Sequence, residues 1–420
     1  MITKIVRKGL VLILSGLLLP VSGVLVAQEP VTSDWHQFRG SNRNGSVAVD
    51  YDFSTHPVTE PVILWKKEIG SGFSELVVSD GMVYTMTGEM IDSISGREFL
   101  VCYALLTGEE IWRVEIDDIF IDVDDWGDGP RSTPAVDDHN IFCFSASGKL
   151  VSVSRANGKK QWSTDFVSLY GSTRPRWGYS TSPLLIDNMV IMEVGGVESM
   201  GFAAFSKDDG DIIWAAETIT AAYNSPISVN IDGETQIIFA NASKLFSFSP
   251  SGNLLWTFDM PVRSPMASPL FIEPDMLFVS AANDAGSFII KINDNDPELV
   301  MTSNQMRNDW SSSSYKDGYI YGFNVATLLC MDAESGERKW LKRGFGKGSL
   351  MMAGNMLFVL SDQGAITMVE ATPDEYKEVA SFDVLEGRSW TAPSYSNGKL
   401  FVRNLTHMVC IDLFPDNTAM

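Results

Sequence analysis

Arginine recurs at one kind of position in this sequence, shortly before a short apolar segment, and in three places a tryptophan stands within three residues of it. Guanidinium groups bind carboxylates and phosphates through paired hydrogen bonds, and they also stack on aromatic rings. Brought together, these side chains would hold an anionic ligand or an extended polypeptide. The candidate ligand-binding residues are Arg131, Arg176, Trp177, Arg263, Arg307, Trp310, Arg343, Arg388 and Trp390. The alternative interpretation is that each arginine only braces its own loop by bonding nearby carbonyl groups.

Other reactive side chains show no spacing that indicates catalysis or a metal site. The four histidines are scattered, and no nucleophile stands beside an evident base, so we name no catalytic residue. The acidic loop 117–129 offers carboxylates at Asp122, Asp124 and Asp128, which supply enough oxygens for calcium but lack the EF-hand spacing and its closing glutamate. We expect a solvated loop there, with no metal and no bound cofactor.

A glycine followed four residues later by a tryptophan occurs five times, about every 40 to 50 residues with one interval doubled. Thr, Asn, Asp or Ser precedes each glycine, as in tight turns that need a positive φ. Repeats of this length, with strands between turns, are typical of propeller blades. The pairs are Gly108 with Trp112, Gly158 with Trp162, Gly210 with Trp214, Gly252 with Trp256, and Gly336 with Trp340.

Eight apolar hairpins accompany these turns and give the number of blades. The hairpins begin at Leu76, Pro134, Pro183, Pro226, Pro269, Ser314, Ser349 and Pro393. The eighth unit has no room for a fourth strand, whereas residues 62–70 form a strand without a hairpin. We therefore predict an all-β fold, an eight-bladed β-propeller of four-stranded antiparallel blades, closed by the N-terminal strand in the last blade. The tryptophans predicted to pack between blades are Trp65, Trp112, Trp162, Trp214, Trp256 and Trp340.

The Gly-x-x-x-Trp phrase resembles the repeat of the pyrroloquinoline-quinone (PQQ)-like propellers, as does the lead-in DWHQFRGSNRNG at residues 34–45. This family includes quinoprotein alcohol dehydrogenases and the propeller subunit of the outer-membrane β-barrel assembly machine. Its dehydrogenases carry adjacent cysteines, calcium-ligating Glu and Asn, and a catalytic Asp, and the sequence has no adjacent cysteine pair. The plain repeats resemble the assembly-machine subunit more.

The resemblance favours a non-enzymatic binding scaffold that takes a protein, a peptide or an anionic ligand at an Arg/Trp-rich face in the cell envelope. The alternative is a PQQ-dependent oxidoreductase, which alone would require PQQ and calcium. A formal net charge of −22 disfavours nucleic acid as a partner.

Lys4, Arg7 and Lys8 precede an apolar stretch and predict a signal peptide over residues 1–27, so we expect export to the periplasm or cell surface. An uncleaved N-terminal anchor is the alternative. We divide the rest into an irregular lead-in (28–60), the propeller (61–413) and a C-terminal tail (414–420).

The four cysteines are expected to remain free. Cys102, Cys330 and Cys410 occupy one equivalent position in three repeats, and Cys143 lies in the second strand of another. Equivalent positions in separate blades are too far apart for a disulfide, so buried small hydrophobic side chains are expected.

Overall fold

The computed structural model describes residues 34–49, 51–53, 55, 58 and 61–414. The predicted signal peptide, residues 1–27, lies outside the described residues, as do residues 415–420 of the predicted tail. Within the described part of the chain, no helix has both the length and the apolar character needed to cross a membrane. The single described α-helix, α1 (Phe166–Tyr170), is a short turn capped by the carboxylate of Asp165.

Two short segments precede the blades, and the blades then follow in chain order. The first segments are β1 (Ser46–Val47) and β2 (Val62–Glu68). Blade 1 consists of β3 (Val77–Ser79), β4 (Met82–Met90), β5 (Gly96–Ala104) and β6 (Glu110–Asp118). Blade 2 consists of β7 (Ala135–Val136), β8 (Asn140–Phe144), β9 (Lys149–Ser154) and β10 (Lys160–Asp165). Blade 3 consists of β11 (Leu184–Ile186), β12 (Met189–Glu193), β13 (Phe202–Ser206) and β14 (Ile212–Ala216).

The remaining blades repeat the same order of strands. Blade 4 consists of β15 (Ile227–Ile231), β16 (Glu234–Asn241), β17 (Lys244–Phe248) and β18 (Leu254–Asp259). Blade 5 consists of β19 (Leu270–Ile272), β20 (Met276–Ser280), β21 (Ser287–Asn293) and β22 (Asp296–Ser303). Blade 6 consists of β23 (Ser314–Lys316), β24 (Tyr319–Asn324), β25 (Thr327–Asp332) and β26 (Arg338–Lys342). Blade 7 consists of β27 (Ser349–Ala353), β28 (Met356–Leu360), β29 (Ala365–Glu370) and β30 (Glu378–Asp383). Blade 8 consists of β31 (Ser394–Ser396), β32 (Lys399–Arg403), β33 (His407–Asp412) and β2.

The prediction of an eight-bladed all-β propeller is confirmed, and so is its mode of closure. β2 pairs antiparallel with β33, from Val62 opposite Asp412 to Glu68 opposite His407. The N-terminal strand therefore supplies the fourth strand that the last blade lacks, and the ring has no open blade edge at this seam.

Four of the five repeated glycines lie under the tryptophan of the preceding blade. A Cβ atom on Gly108 would come within 2.7 Å of the Trp65 ring, and one on Gly210 would come equally close to Trp162. The indole N–H of Trp65 also donates to the carbonyl of Leu105, at 2.7 Å. Glycine is thus needed at the turn both for its positive φ and for the ring above it.

Blade 5 departs from this pattern because its turn has no glycine in the repeated place. Met301 of blade 5 takes the place of a tryptophan and lies over Gly336 of blade 6. Trp256 of blade 4 instead donates its N–H to Gln236 within its own blade. All four cysteines are buried and free, and three of them lie in the third strands of blades 1, 6 and 8.

Residues 34–47, hereafter the plug, fill the central channel. Trp35 pairs with Val78 of blade 1, and β1 runs parallel to β27 of blade 7. Between them the guanidinium group of Arg39 donates to the carbonyls of residues 312 and 313 in blade 6, and that of Arg43 donates to the carbonyls of residues 182 and 183 in blade 3. The lead-in expected to be irregular therefore ties separate blades together across the channel.

Glu98 of β5 is a buried carboxyl group at the interface of blades 1 and 2. Its oxygens accept the backbone N–H groups of Phe120 and Ala146, at 3.3 and 3.2 Å. Burial raises the pKa of Glu98 to about 8, although these two hydrogen bonds act in the opposite direction.

This raised pKa predicts that the protein is less stable in mildly alkaline than in mildly acidic solution. Between the unfolded pKa of about 4.5 and the folded pKa of about 8, only the unfolded state has lost the proton of Glu98. Glu98 should therefore lower the free energy of unfolding as pH rises through this window, by about 1.4 kcal/mol per pH unit. Chemical denaturation at pH 5, 7 and 9 measures this slope.

The matched pair for this experiment is Glu98→Gln, which resembles the protonated carboxyl group, and Glu115→Gln at an exposed position. Glu98→Gln should make the slope shallower by about 1.4 kcal/mol per pH unit, and Glu115→Gln should leave the slope unchanged. Equal slopes in all three proteins would show that Glu98 ionises normally.

Candidate functional site

A cavity of about 380 Å³ lies at the end of the channel where the outer strand of each blade connects to the inner strand of the next. All eight of these connections contribute side chains to it. Its walls are mainly aromatic, formed by Phe73, Trp126, Trp177, Tyr223, Trp310 and Trp390. Cavities of this size with apolar walls and a few polar groups are the usual form of small-ligand sites.

A ring of hydrogen bonds between blades holds the connections in place. Thr133 donates its N–H to the hydroxyl of Ser182, and Ser182 donates its own N–H to the hydroxyl of Ser225, at 2.9 and 3.0 Å. Ser268 makes the same bond to Ser312, at 3.0 Å. These serines and threonines occupy one repeat position, so the cavity rests on a rigid inner rim.

Glu75 occupies this repeat position in blade 1, where a serine or threonine stands in most other blades. Its Oε2 accepts from the N–H of Arg39 at 2.8 Å and from the indole N–H of Trp35 at 3.3 Å. Burial raises the pKa of Glu75 to about 7, an effect that the hydrogen bond and charge of Arg39 oppose. Phe38 and Arg39 of the plug also line the cavity, so the plug closes the channel and makes the cavity blind.

The indoles of the wall form a tilted cluster. The rings of Trp310 and Trp390 have centroids 4.4 Å apart at 43°, and those of Trp126 and Trp390 are 5.7 Å apart at 45°. Lys347 lies 4.3 Å from the Trp310 ring and forms an ion pair with Asp309 at 2.9 Å. The cluster is therefore bordered by a cation whose charge is already paired.

Four of the nine predicted ligand-binding residues line this cavity, namely Arg131, Trp177, Trp310 and Trp390. Arg131 donates to the carbonyls of Gly127 and Gly129, at 2.8 and 2.6 Å. The Arg388 guanidinium lies 4.7 Å from the Trp390 ring and donates to the carbonyls of residues 125 and 126. Both arginines thus fix the loops that carry the cavity wall.

The other predicted arginines lie outside the cavity lining. Arg176 forms an ion pair with Asp124, and Arg263 forms one with Asp284. Arg307 donates to the carbonyl of Ala282 at 2.8 Å, and Arg343 is exposed. These contacts match the alternative in which arginines brace loops.

The carboxylates of the acidic loop bind protein groups. Asp124 accepts from Arg176 and from the indole N–H of Trp177 at 2.8 Å, which fixes Trp177 in the wall. Asp122 accepts the N–H of Trp126 at 2.5 Å, and Asp128 accepts the N–H of Asp122 at 2.8 Å. Among the residues with described positions, no three His, Cys, Asp or Glu side chains are grouped as metal ligands. The loop therefore positions two indoles of the cavity.

Several cavity residues were missed in the sequence analysis. Trp126 lies inside the acidic loop, and Phe73, Tyr223 and Lys347 lack the Arg/Trp pattern. Glu75 could have been predicted from the sequence. When the eight repeat units are aligned, it is a charged residue at a position where most units have Ser or Thr.

Three buried polar atoms on cavity residues have no hydrogen-bond partner within the described part of the chain. They are Oε1 of Glu75, Nε1 of Trp310 and Oγ of Ser311. A buried polar group without a partner costs about 1–3 kcal/mol, and these three atoms are buried beneath the cavity surface.

The cavity does not offer the donor set that PQQ and calcium have in quinoprotein dehydrogenases. None of the four cysteines lines it. Its carboxylates are Glu75 and Asp309, and Asp309 is held by Lys347. Asn308 beside it donates its amide to the carbonyl of Phe323. The residues present therefore do not fit that cofactor with its metal.

Comparisons with known proteins agree with the repeat pattern. A family model described as Outer membrane protein assembly factor BamB matches residues 96–264. No curated protein sequence gives a significant match.

Solved structures of two kinds share the fold. BamB from Moraxella catarrhalis matches with a TM-score of 0.62 and 10% identity, over 84% of this chain and 100% of that chain. Quinohemoprotein alcohol dehydrogenase from Comamonas testosteroni matches with a TM-score of 0.64 and 10% identity, over 92% of this chain and 82% of that chain. A quinohemoprotein alcohol dehydrogenase from Pseudomonas putida HK5 matches with a TM-score of 0.66 and 12% identity, over 92% of this chain and 81% of that chain. Such low identities show the fold alone. The repeats, the family model that matches residues 96–264 and the shared fold together support the resemblance to the PQQ-like β-propellers.

Proposed function

We propose that the protein is a non-enzymatic binding propeller of the cell envelope, which holds a ligand in the indole-lined cavity. The observation that carries this proposal is the blind, aromatic-walled cavity at which all eight blade connections meet. Its polar side chains include no nucleophile beside a base, so the arrangement favours retention of a ligand over reaction with it.

The indoles, more than the arginines, supply the binding surface in this proposal. Arg176, Arg263 and Arg307 already bond to protein groups outside the cavity, whereas Trp310 and Trp390 present their rings to it. Aromatic side chains contribute large contact areas at low conformational cost, which makes them the usual anchors of binding sites.

A protein partner docking on the same face is the second candidate. The similarity to a family described as an outer membrane protein assembly factor supports it. The long β4–β5 hairpin extends on the cavity side of blade 1, and its tip exposes Ile91 and Ile94 by 68% and 82%. Exposed apolar groups at a loop tip favour contact with another protein.

The proposal is tested by thermal unfolding of the full chain in the presence of a cell-envelope extract, divided by dialysis into small-molecule and protein fractions. We expect the small-molecule fraction to raise the melting temperature, because a ligand that binds only the folded state stabilises it. A Trp310→Ala, Trp390→Ala double variant should lose this shift, and the exposed control Arg263→Gln should keep it. An unshifted parent in both fractions would contradict the proposal, and so would a double variant that shifts like the parent.

A further inference from the structure

Resting on the proposed function for its role as a gate, we propose that residues 123–126 form a lid over the mouth of the cavity, the end that lies away from the plug. The lid opens to let a ligand pass and then closes again. Four features of the structure lead to this inference, namely the anchored base of the loop, its position across the mouth, its exposed outer contacts and its small buried surface.

The loop that carries the lid is closed at its base. The N–H of Gly129 donates to the carbonyl of Phe120 at 2.9 Å, so residues 120–129 form a compact loop whose two ends meet. Arg131 donates to the carbonyls of Gly127 and Gly129, and its side chain is only 9% exposed. The base is therefore fixed to the ring, and movement is confined to the residues beyond it.

The lid extends from its own connection towards the other side of the mouth. The ring of Trp126 lies 5.7 Å from that of Trp390, which belongs to the connection between blades 7 and 8. Nζ of Lys347, in the connection between blades 6 and 7, lies 6.0 Å from the Trp126 ring. Since the plug closes the opposite end of the channel, the lid lies on the path by which a ligand enters the cavity.

Two arginines hold the lid in place from the protein surface. Arg176 donates to both carboxylate oxygens of Asp124, at 2.7 and 2.6 Å, and its side chain is 64% exposed. Arg388 donates to the carbonyls of residues 125 and 126, in hydrogen bonds that are also exposed. Exposed ion pairs contribute little to stability, because water competes for both partners and salt screens their charges. These contacts can therefore break without disturbing the core.

The lid itself buries little apolar surface. Val123 is 75% exposed and Trp126 is 42% exposed. Gly127, the residue that follows the lid, has a φ of 128°, which glycine adopts far more readily than other residues. Segments with few buried contacts and exposed hydrogen bonds open at low free energy, and they serve as lids in many binding sites.

Thiol labelling of the full chain tests the lid without any ligand. An Ala392→Cys variant places a thiol in the cavity lining, at a methyl group that has no hydrogen bond to lose. If N-ethylmaleimide has to pass the lid, the rate of labelling at position 392 measures the fraction of open molecules. The four native cysteines are buried, so their labelling reports on unfolding of the ring, and peptide mass spectrometry separates the two signals.

Arg176→Gln, introduced into the Ala392→Cys protein, removes the charge that holds Asp124. It should raise the rate of labelling at position 392 about threefold, the effect expected for loss of an exposed ion pair. Arg263→Gln is the matched control. Arg263 makes the same paired contact with Asp284, at 2.9 and 3.2 Å, in the connection between blades 4 and 5, and its replacement should leave the rate unchanged.

Replacing residues 123–126 by two glycines removes the lid. Labelling should then be faster than in the Arg176→Gln protein, and Arg176→Gln should have no further effect. Equal rates with and without the lid, or with and without Arg176, would overturn the proposal. So would an increase for Arg176→Gln that Arg263→Gln matches or that the native cysteines share. Because no ligand is used, failure of the lid and failure of the binding function are distinguishable.

Discussion

A Trp65→Ala variant is expected to have a free energy of unfolding about 3–5 kcal/mol below that of the parent, the usual cost of removing a buried tryptophan. Trp65 is 6% exposed, lies over Gly108 of blade 1 and bonds to Leu105. It belongs to β2, which joins β31, β32 and β33 from the other end of the propeller sequence to complete blade 8. Its loss therefore weakens the contact that closes the ring. Urea denaturation followed by circular dichroism measures the change.

Trp65→Phe serves as the control, because it keeps an aromatic ring over Gly108 and removes the hydrogen bond to Leu105. A loss of about 1 kcal/mol is expected for this variant. A Trp65→Ala protein that unfolds at the same urea concentration as the parent would show that blade 8 is held by other contacts.

Replacing Arg39 and Arg43 together by methionine should cost about 3–5 kcal/mol, because both are buried and Glu75 would lose the cations that face it. The four hydrogen bonds that the two guanidinium groups make to blades 3 and 6 would also be lost. Since Arg39 forms part of the cavity floor, the same variant should also lose the ligand-induced shift in melting temperature.

Arg97→Met is the matched control. Its guanidinium forms ion pairs with Glu115 and Asp118 at the surface, and such pairs contribute about 0–1 kcal/mol. If the Arg39→Met, Arg43→Met variant were no less stable than Arg97→Met, the contacts of residues 34–47 would not stabilise the ring of blades.

The sequence was sufficient to predict the blades because each unit carries its own local signal. Gly210 must be glycine at a positive φ under a neighbouring indole, and the same demand recurs at Gly108 and Gly252, so the period appears directly in the chain. The strand around Trp65 also has a local signal, a tryptophan strand without its own hairpin, and this predicted that it closes the ring in blade 8.

The cavity was predicted only in part because its residues have no common local signal. Trp310 and Trp390 were found beside arginines, but Trp126 enters through an acidic loop whose carboxylates turned out to hold backbone and indole N–H groups. The plug was missed because its contacts are made one at a time to separate blades. Arg39 donates hydrogen bonds to the carbonyls of residues 312 and 313, more than 270 positions away in the sequence. No pattern within the lead-in predicts such a contact.

Closure by β2 also sets the order in which the molecule can be completed. β2 begins at Val62 and its partner β33 ends at Asp412, so the two strands pair across nearly the whole propeller sequence. Pairing across so long a loop carries a large entropic cost and slows folding. Blades 1 to 7 each contain four consecutive strands, but blade 8 needs β2 together with β31, β32 and β33. Blade 8 therefore cannot be completed before β33 has been synthesised, and until then a growing chain retains β2 as an unpaired strand that aggregation or a chaperone can capture.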